Sequence, residues 1–142
     1  MPLEFSAGAI IFRKEKNKVL YLLLRYGYGH WDFVKGIIGD EVKGEKAEDT
    51  VFREAEEEAG IKDLRFVEGF KHKLHYFFRK KGKTYFKTVT FFLAETKKKR
   101  IKLSFEHTDY KWLRYEDALQ KLTYKNAKNA LKKADKFLKR KK

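Results

Sequence analysis

Residues 52–61 read FREAEEEAGI, which places four glutamates in ten residues and a glycine near the end. From Lys46 to Ala59 the sequence has the period of a helix, because a small apolar residue recurs every fourth position, at Ala47, Val51, Ala55 and Ala59. Gly60 is a natural C-terminal stop for such a helix. The segment therefore predicts an α-helix with one apolar stripe.

The acidic residues of this helix form a cluster. Glu54, Glu57 and Glu58 are spaced so that their carboxylates converge on one face, and Arg53 lies beside them. Like charges at this spacing weaken a helix by roughly 0.2–0.5 kcal/mol per pair, and the helix dipole disfavours anions near the C-terminus. Two interpretations remain open. The cluster is either a site for a hard divalent cation such as Mg²⁺ or Mn²⁺, or a solvated acidic face with an internal salt bridge.

The sequence before the helix extends the pattern. Gly39 is followed by five residues and Glu45, then by seven residues and the run Arg-Glu-Ala-x-Glu-Glu-x-Gly-Ile, which ends at Ile61. This arrangement resembles the signature of the Nudix hydrolases. The resemblance implies an α/β fold, the Nudix α/β/α sandwich with a mixed β-sheet between helices, and hydrolysis of a nucleoside diphosphate linked to another moiety. It also implies that Glu54, Glu57 and Glu58 bind Mg²⁺, and that Arg53 orients a catalytic glutamate.

One departure from the family pattern concerns the loop before the helix. In the family, a Lys-Gly pair after a tryptophan stands six positions before the motif glutamate, whereas "WDFVKG" here places Gly36 nine positions before Glu45. Either Gly39 is the structural equivalent or the loop carries a three-residue insertion. We expect the backbone carbonyl of Gly36 to contribute to the metal site, because this glycine follows the tryptophan segment.

The rest of the chain resembles the asymmetrically cleaving diadenosine tetraphosphate hydrolases of that family, from "GHWDFVKG" nearly to the end. The resemblance implies that Tyr76 and Tyr124 stack an adenine between them and that Lys35 and Lys87 hold the phosphates. It also implies that His30, the histidine before the tryptophan, belongs to the substrate site and that Glu106 lies near the metals. Each has an ordinary alternative. The tyrosine of a strand can be a core residue, the lysines can be solvated surface charges, and the histidine can cap a loop.

The expected reaction is attack of water on a phosphorus of the polyphosphate bridge of diadenosine tetraphosphate, giving ATP and AMP. Glu57 is the first choice for the general base, and Glu58 and Glu106 also qualify. Three other functions stay open: removal of pyrophosphate from RNA 5′ ends, hydrolysis of ADP-ribose or an oxidised nucleotide, and non-catalytic binding of nucleic acid.

Composition agrees with several of these functions. The 142 residues carry a formal net charge of +15 and no cysteine. A basic surface around an acidic pocket suits an anionic substrate held through metal ions, and it suits nucleic acid equally; a proteome rich in charged residues also accounts for it. We expect one domain over residues 1–138 and a frayed basic tail over 139–142. Neither a signal peptide nor an apolar span of membrane length is present, which predicts a cytoplasmic protein without a membrane association, and no protein partner is inferred.

Local patterns also predict the other elements. Two strands joined by a polar turn come first, in "EFSAGAIIFR" and "KVLYLLLRYG". An irregular glycine-rich loop with a short strand at "WDFV" precedes the acidic helix. Three β-like segments follow, over residues 64–79, 84–96 and 110–114. Two helices, over residues 115–122 and 124–140, close the chain.

Overall fold

In the computed structural model, which describes residues 1–39 and 42–141, the described chain forms eight strands and three helices. The strands are β1 (Leu3–Glu15), β2 (Lys18–Tyr26), β3 (Trp31–Asp32), β4 (Val34–Ile37), β5 (Arg65–Phe66), β6 (His72–Lys80), β7 (Lys83–Glu95) and β8 (His107–Leu113). The helices are α1 (Ala47–Ala59), α2 (Tyr115–Lys121) and α3 (Lys125–Arg140).

Strand β1 lies at the centre of a mixed sheet. It runs parallel to β7 and antiparallel to both β2 and β4, which pair with different parts of its length. Strands β5 and β6 add to β7, and strands β3 and β8 add to β2, all of them antiparallel. The parallel β1–β7 pair makes the sheet mixed, as predicted.

Side chains alternate along β1 and so divide the core into two layers. Ala9 and Ile11 pack in the cluster that contains α1, whereas Ile10 and Phe12 pack in the cluster that contains α2 and α3. The sheet therefore lies between α1 on one face and the two C-terminal helices on the other. The predicted α/β class and α/β/α sandwich are confirmed.

Helix α1 forms where the apolar stripe predicts it. Val51, Ala55 and Ala59 are fully buried against the sheet, and Gly60 ends the helix with a φ of 69°, while its N–H donates to the carbonyl oxygen of Glu56. Burial of this stripe places the next sector of the helix, with Glu54 and Glu58, at the edge of the sheet beside β4.

Three details differ from the predicted elements. The segment 64–79 is two strands, because the chain turns between β5 and β6 at Gly69, where φ is +95°. Strand β4 extends the ordered region beyond "WDFV" and pairs with β1. Helix α3 includes Lys139 and Arg140, two residues of the basic tail expected at 139–142; Lys142 lies outside the described residues, and the expected fraying stays a prediction. No helix in the described part of the chain is long and apolar enough to cross a membrane.

Candidate active site

Arg53 is fixed to the segment that precedes its helix. Its Nε donates to Glu45 Oε2 at 2.8 Å, and its Nη2 donates to Glu45 Oε1 at 3.0 Å. The same Glu45 Oε1 accepts from the Thr50 hydroxyl at 2.7 Å and from the Gly39 N–H at 3.1 Å. These bonds, above all those from Arg53, lower the pKa of Glu45 to about 2. Glu45 was recognised only as a motif position, and the structure assigns it the anchoring of Arg53.

The remaining donors of Arg53 reach the helical glutamates and the backbone of β4. Nη1 lies 2.9 Å from Glu54 Oε2 and 3.4 Å from Glu57 Oε2, and Nη2 donates to the carbonyl oxygen of Ile37 at 3.3 Å. The guanidinium is thus held from one side by Glu45 and in turn holds two carboxylates. The hydrogen bond with Glu45 is the main cause of the raised pKa of Arg53.

Glu54 and Glu58 bring two carboxyl groups together in a buried position. Burial, followed by the hydrogen bond and the charge of Glu54, raises the pKa of Glu58 well above its usual range. Glu58 Oε1 also accepts from the backbone N–H of Lys35 at 3.3 Å. Glu57 differs, because 42% of its side chain is exposed. The predicted trio therefore consists of a buried pair and a third carboxylate open to solvent.

Gly36 lies directly against the first member of this pair. A Cβ added at Gly36 would lie 2.0 Å from Oε2 of Glu54 and 2.2 Å from its Cδ, so a larger residue here requires the Glu54 side chain to move. Gly39 has a different function, since its φ of +76° orients the N–H that donates to Glu45. The two candidate glycines thus occupy separate places, with Gly36 next to the carboxylates and Gly39 next to the residue that anchors Arg53.

The donor set fits a hard divalent cation by its chemistry. Carboxylate and carbonyl oxygens are the ligands that Mg²⁺ and Mn²⁺ prefer, and a cation relieves the repulsion between two buried carboxylates such as Glu54 and Glu58. Within residues 1–39 and 42–141, no three acidic or histidine side chains form a ready-made metal cage. The assignment of Glu54, Glu57, Glu58 and Gly36 as metal ligands stays a prediction.

A cavity of about 540 Å³ opens beside the carboxylate pair. Four of the five residues predicted to bind substrate line it: His30, Lys35, Tyr76 and Tyr124. Two lining residues that the sequence analysis missed are Asp32, whose carboxylate binds the Lys35 ammonium at 2.9 Å, and Asn126 near the start of α3. Asp32 lies three residues before Lys35, a spacing that carries no distinctive signal in a charge-rich chain.

Lys87, the fifth predicted substrate residue, lies outside this cavity. Its ammonium pairs with the carboxylate of Glu4 at 2.9 Å, because the parallel register of β1 and β7 places the two residues side by side. It lines a neighbouring cavity of about 400 Å³ with Ile37 and Tyr76. Tyr76 borders both cavities. Lys87 is therefore adjacent to the predicted nucleobase-binding cavity but not part of it.

His30 takes part in an aromatic contact series. Its ring stacks on Tyr26 with centroids 4.7 Å apart and lies 5.5 Å from the Tyr124 ring. The other side of the series continues from Tyr26 to His107, whose centroid is 4.3 Å away. Burial lowers the pKa of His30 and of His107. The series connects the cavity with the neighbourhood of Glu58, and sequence reasoning identified neither Tyr26 nor His107.

Glu106 occupies the turn before β8. Its side chain is exposed, and its carbonyl oxygen accepts from the Gly27 N–H at 3.0 Å. Its negative charge contributes to the raised pKa of Glu58. Glu106 therefore acts electrostatically on the carboxylate pair from a different element, and its expected place near the metals stays a prediction.

Comparisons with known proteins show which proteins this chain is similar to. The family model described as NUDIX domain matches residues 2–134. A bis(5′-nucleosyl)-tetraphosphatase (asymmetrical) of Mus musculus is 37% identical, with 94% of each chain covered, and one of Caenorhabditis elegans is 34% identical, with 94% of this chain and 95% of the relative covered. Among solved structures, a C. elegans Ap4A hydrolase binary complex matches with a TM-score of 0.81 and 34% identity, covering 95% of this chain and 97% of that one.

Proposed function

The chain belongs to the Nudix family, and we propose that it hydrolyses diadenosine tetraphosphate to ATP and AMP. One observation carries this proposal. Lys35 joins the two halves of the site, because its side chain lines the cavity that holds Tyr76 and Tyr124 while its backbone N–H donates to Glu58 of the carboxylate pair. A nucleobase in the cavity therefore has its phosphates next to the acidic helix.

Binding rests on stacking and on point charges. Stacking of a base on an aromatic ring contributes roughly 1–3 kcal/mol, and Tyr76 and Tyr124 are the rings available in the cavity. Lys35 lines the cavity and pairs with Asp32, and Lys87 lines the adjacent cavity and pairs with Glu4. Such ammonium groups hold phosphate as point charges.

In the proposed reaction, a water molecule attacks the phosphorus of one terminal adenylate and loses its proton to a carboxylate. The bond from that phosphorus to the bridging oxygen breaks, so AMP forms and ATP is the leaving group. Glu57 is the base we favour, because its carboxylate is partly open to solvent whereas Glu58 is buried. Arg53 orients Glu57 and Glu54 and is itself fixed by Glu45. When bound at Glu54, Glu57, Glu58 and the Gly36 carbonyl, Mg²⁺ or Mn²⁺ supplies charge neutralisation and lowers the pKa of coordinated water.

A second candidate substrate is the 5′ end of an RNA. Helix α3 starts at the cavity with Lys125 and presents a basic face along its length, with Lys132, Lys133, Lys136 and Lys139 exposed. Its one acidic residue, Asp135, is buried and bonded to the Tyr21 hydroxyl at 2.7 Å. An anionic chain that leaves the cavity would follow positive charge.

Initial rates measured with Mg²⁺ on diadenosine tetraphosphate and on a 5′-triphosphorylated oligonucleotide separate the two substrates. We expect faster turnover of the dinucleotide, and the Glu57→Gln variant is the control for contaminating activity. Preference for the oligonucleotide, or equal rates with the control variant, would refute the proposal. We also propose the cytoplasm as the site of action.

A further inference from the structure

His107 has a buried side chain, and one of its two ring nitrogens has no hydrogen-bond partner among the described residues. Its side chain is 0% exposed, and its ring lies edge-on to Tyr26 at the start of β8. Nε2 of this ring is one of three buried side-chain nitrogen or oxygen atoms in the described residues that have no hydrogen-bond partner. Such groups are rare because each costs about 1–3 kcal/mol when left unpaired.

The other ring nitrogen, Nδ1, contacts a serine hydroxyl. Nδ1 lies 2.9 Å from the Ser104 hydroxyl oxygen, and that oxygen also accepts from the backbone N–H of Glu106 at 3.3 Å. The serine hydroxyl has one hydrogen to donate, and Nδ1 is the acceptor within its reach among the described contacts. With the Ser104 hydroxyl as the donor to Nδ1, the neutral ring is the tautomer that carries its hydrogen on Nε2, and Nε2 is a donor.

The carboxylate that lies near this nitrogen belongs to Glu58. Nε2 lies 4.0 Å from Glu58 Oε1, the oxygen that also accepts the Lys35 N–H. The turn before β8 also contacts α1, because the Ser104 N–H lies 3.4 Å from the backbone carbonyl oxygen of Glu58. A movement of about 1 Å by the flexible glutamate side chain brings Nε2 and Oε1 to the usual hydrogen-bond distance.

We propose that His107 is a positioning residue for Glu58, held by Ser104 so that its Nε2–H binds Oε1 and leaves Oε2 for the cation. This inference rests on the proposed function, in which Glu58 is a metal ligand. The buried Nε2–H of His107 then has an acceptor, which the packing of the ring alone does not supply. Hydrogen bonds to a ligating carboxylate fix its orientation, and their loss typically reduces metal affinity by about 10–100-fold.

Two variants place an amide donor at different positions. In His107→Gln the side-chain nitrogen reaches the former position of Nε2, whereas in His107→Asn it reaches that of Nδ1, beside Ser104. Both remove the aromatic contact with Tyr26. Because Gln fills more of the buried space than Asn, thermal melting of each variant measures the packing loss separately from Mn²⁺ binding. A third variant, Ser104→Ala, keeps the histidine but removes the hydroxyl that directs its ring.

The test is Mn²⁺ binding to the cation-free protein by electron paramagnetic resonance, with thermal melting as the measure of folding. We expect Asn to weaken Mn²⁺ binding by about tenfold or more and Gln to stay within about threefold of the wild type, with Ser104→Ala between them. Equal Mn²⁺ affinity of the Gln and Asn variants overturns the proposal, as does absence of Mn²⁺ binding by the wild type. If Asn fails to fold, unchanged affinity in Ser104→Ala overturns it.

Turnover of diadenosine tetraphosphate by the same variants separates this inference from the proposed function. A fall in kcat for Asn with little change in KM, restored by Gln, supports the positioning role. If the wild type binds Mn²⁺ with the expected pattern among variants but does not hydrolyse the dinucleotide, the positioning role stands and the substrate assignment fails. If hydrolysis is normal and all three variants bind Mn²⁺ like the wild type, only the positioning role fails.

Discussion

Replacing Glu45 with Gln removes the anion to which Arg53 is bound at two points. Only 3% of the Glu45 side chain and 13% of the Arg53 side chain is exposed, so water replaces little of what is lost. The amide of the introduced glutamine also cannot accept hydrogen bonds at both positions where the carboxylate oxygens of Glu45 accept them. If its oxygen faces Gly39 and Thr50, its nitrogen faces the Nε–H of Arg53 as donor against donor.

The expected loss of stability follows from these contacts. One charge-assisted hydrogen bond contributes about 2 kcal/mol, and an opposed buried donor adds about 1 kcal/mol. The pKa of Glu45 gives a second value. A pKa of about 2 against an ordinary 4.5, at about 1.4 kcal/mol for each pH unit, corresponds to about 3 kcal/mol, which solvent at the exposed edge of Arg53 reduces to about 2–3 kcal/mol.

Urea unfolding at pH 7 and pH 3 measures this prediction. Because the folded pKa lies below the unfolded one, the stabilisation by Glu45 is complete above about pH 4.5 and is lost as the pH falls towards 2. The difference between wild type and Glu45→Gln should therefore shrink by roughly half or more at pH 3. Glu56→Gln is the matched control, since Glu56 lies on the exposed side of α1, the helix that carries Arg53, and pairs with Lys62. A Glu45 effect no larger than that of the control, or one independent of pH, would refute the reasoning.

Three further predictions concern the site itself. Glu57→Gln should abolish most turnover with little effect on melting temperature, since its side chain is partly exposed; near-normal activity would exclude it as the base. Tyr124→Ala should raise KM for diadenosine tetraphosphate by roughly 5- to 150-fold through lost stacking. A KM close to that of the wild type would show that the nucleobase does not stack on Tyr124. Gly36→Ala should displace the Glu54 carboxyl, which its Cβ would meet at 2.0 Å, and weaken Mn²⁺ binding; wild-type affinity would show that Gly36 is not needed at the site.

Local sequence patterns were sufficient for the acidic helix. The period of Val51, Ala55 and Ala59 predicts the buried face of α1, and Gly60 predicts its end, because both depend on contacts within one helical turn or with the nearest sheet face. The convergence of Glu54 and Glu58 follows from the same geometry. Spacing within a single element therefore predicts the centre of the candidate site.

Contacts between distant segments were not predictable in this way. The pairing of Lys87 with Glu4 depends on the parallel register of β1 and β7, which no local pattern specifies. The proximity of His107 to Glu58 likewise depends on the pairing of β8 with β2 and on the packing of α1. The break between β5 and β6 arises at Gly69, within a run that reads as one strand.

The most direct measurement of the central claim is product analysis after incubation with diadenosine tetraphosphate and Mg²⁺ in heavy-oxygen water. Asymmetric attack by water predicts ATP and AMP in equal amounts, with the heavy oxygen in the AMP. Formation of ADP alone, or no reaction by a folded protein, would contradict the proposed function.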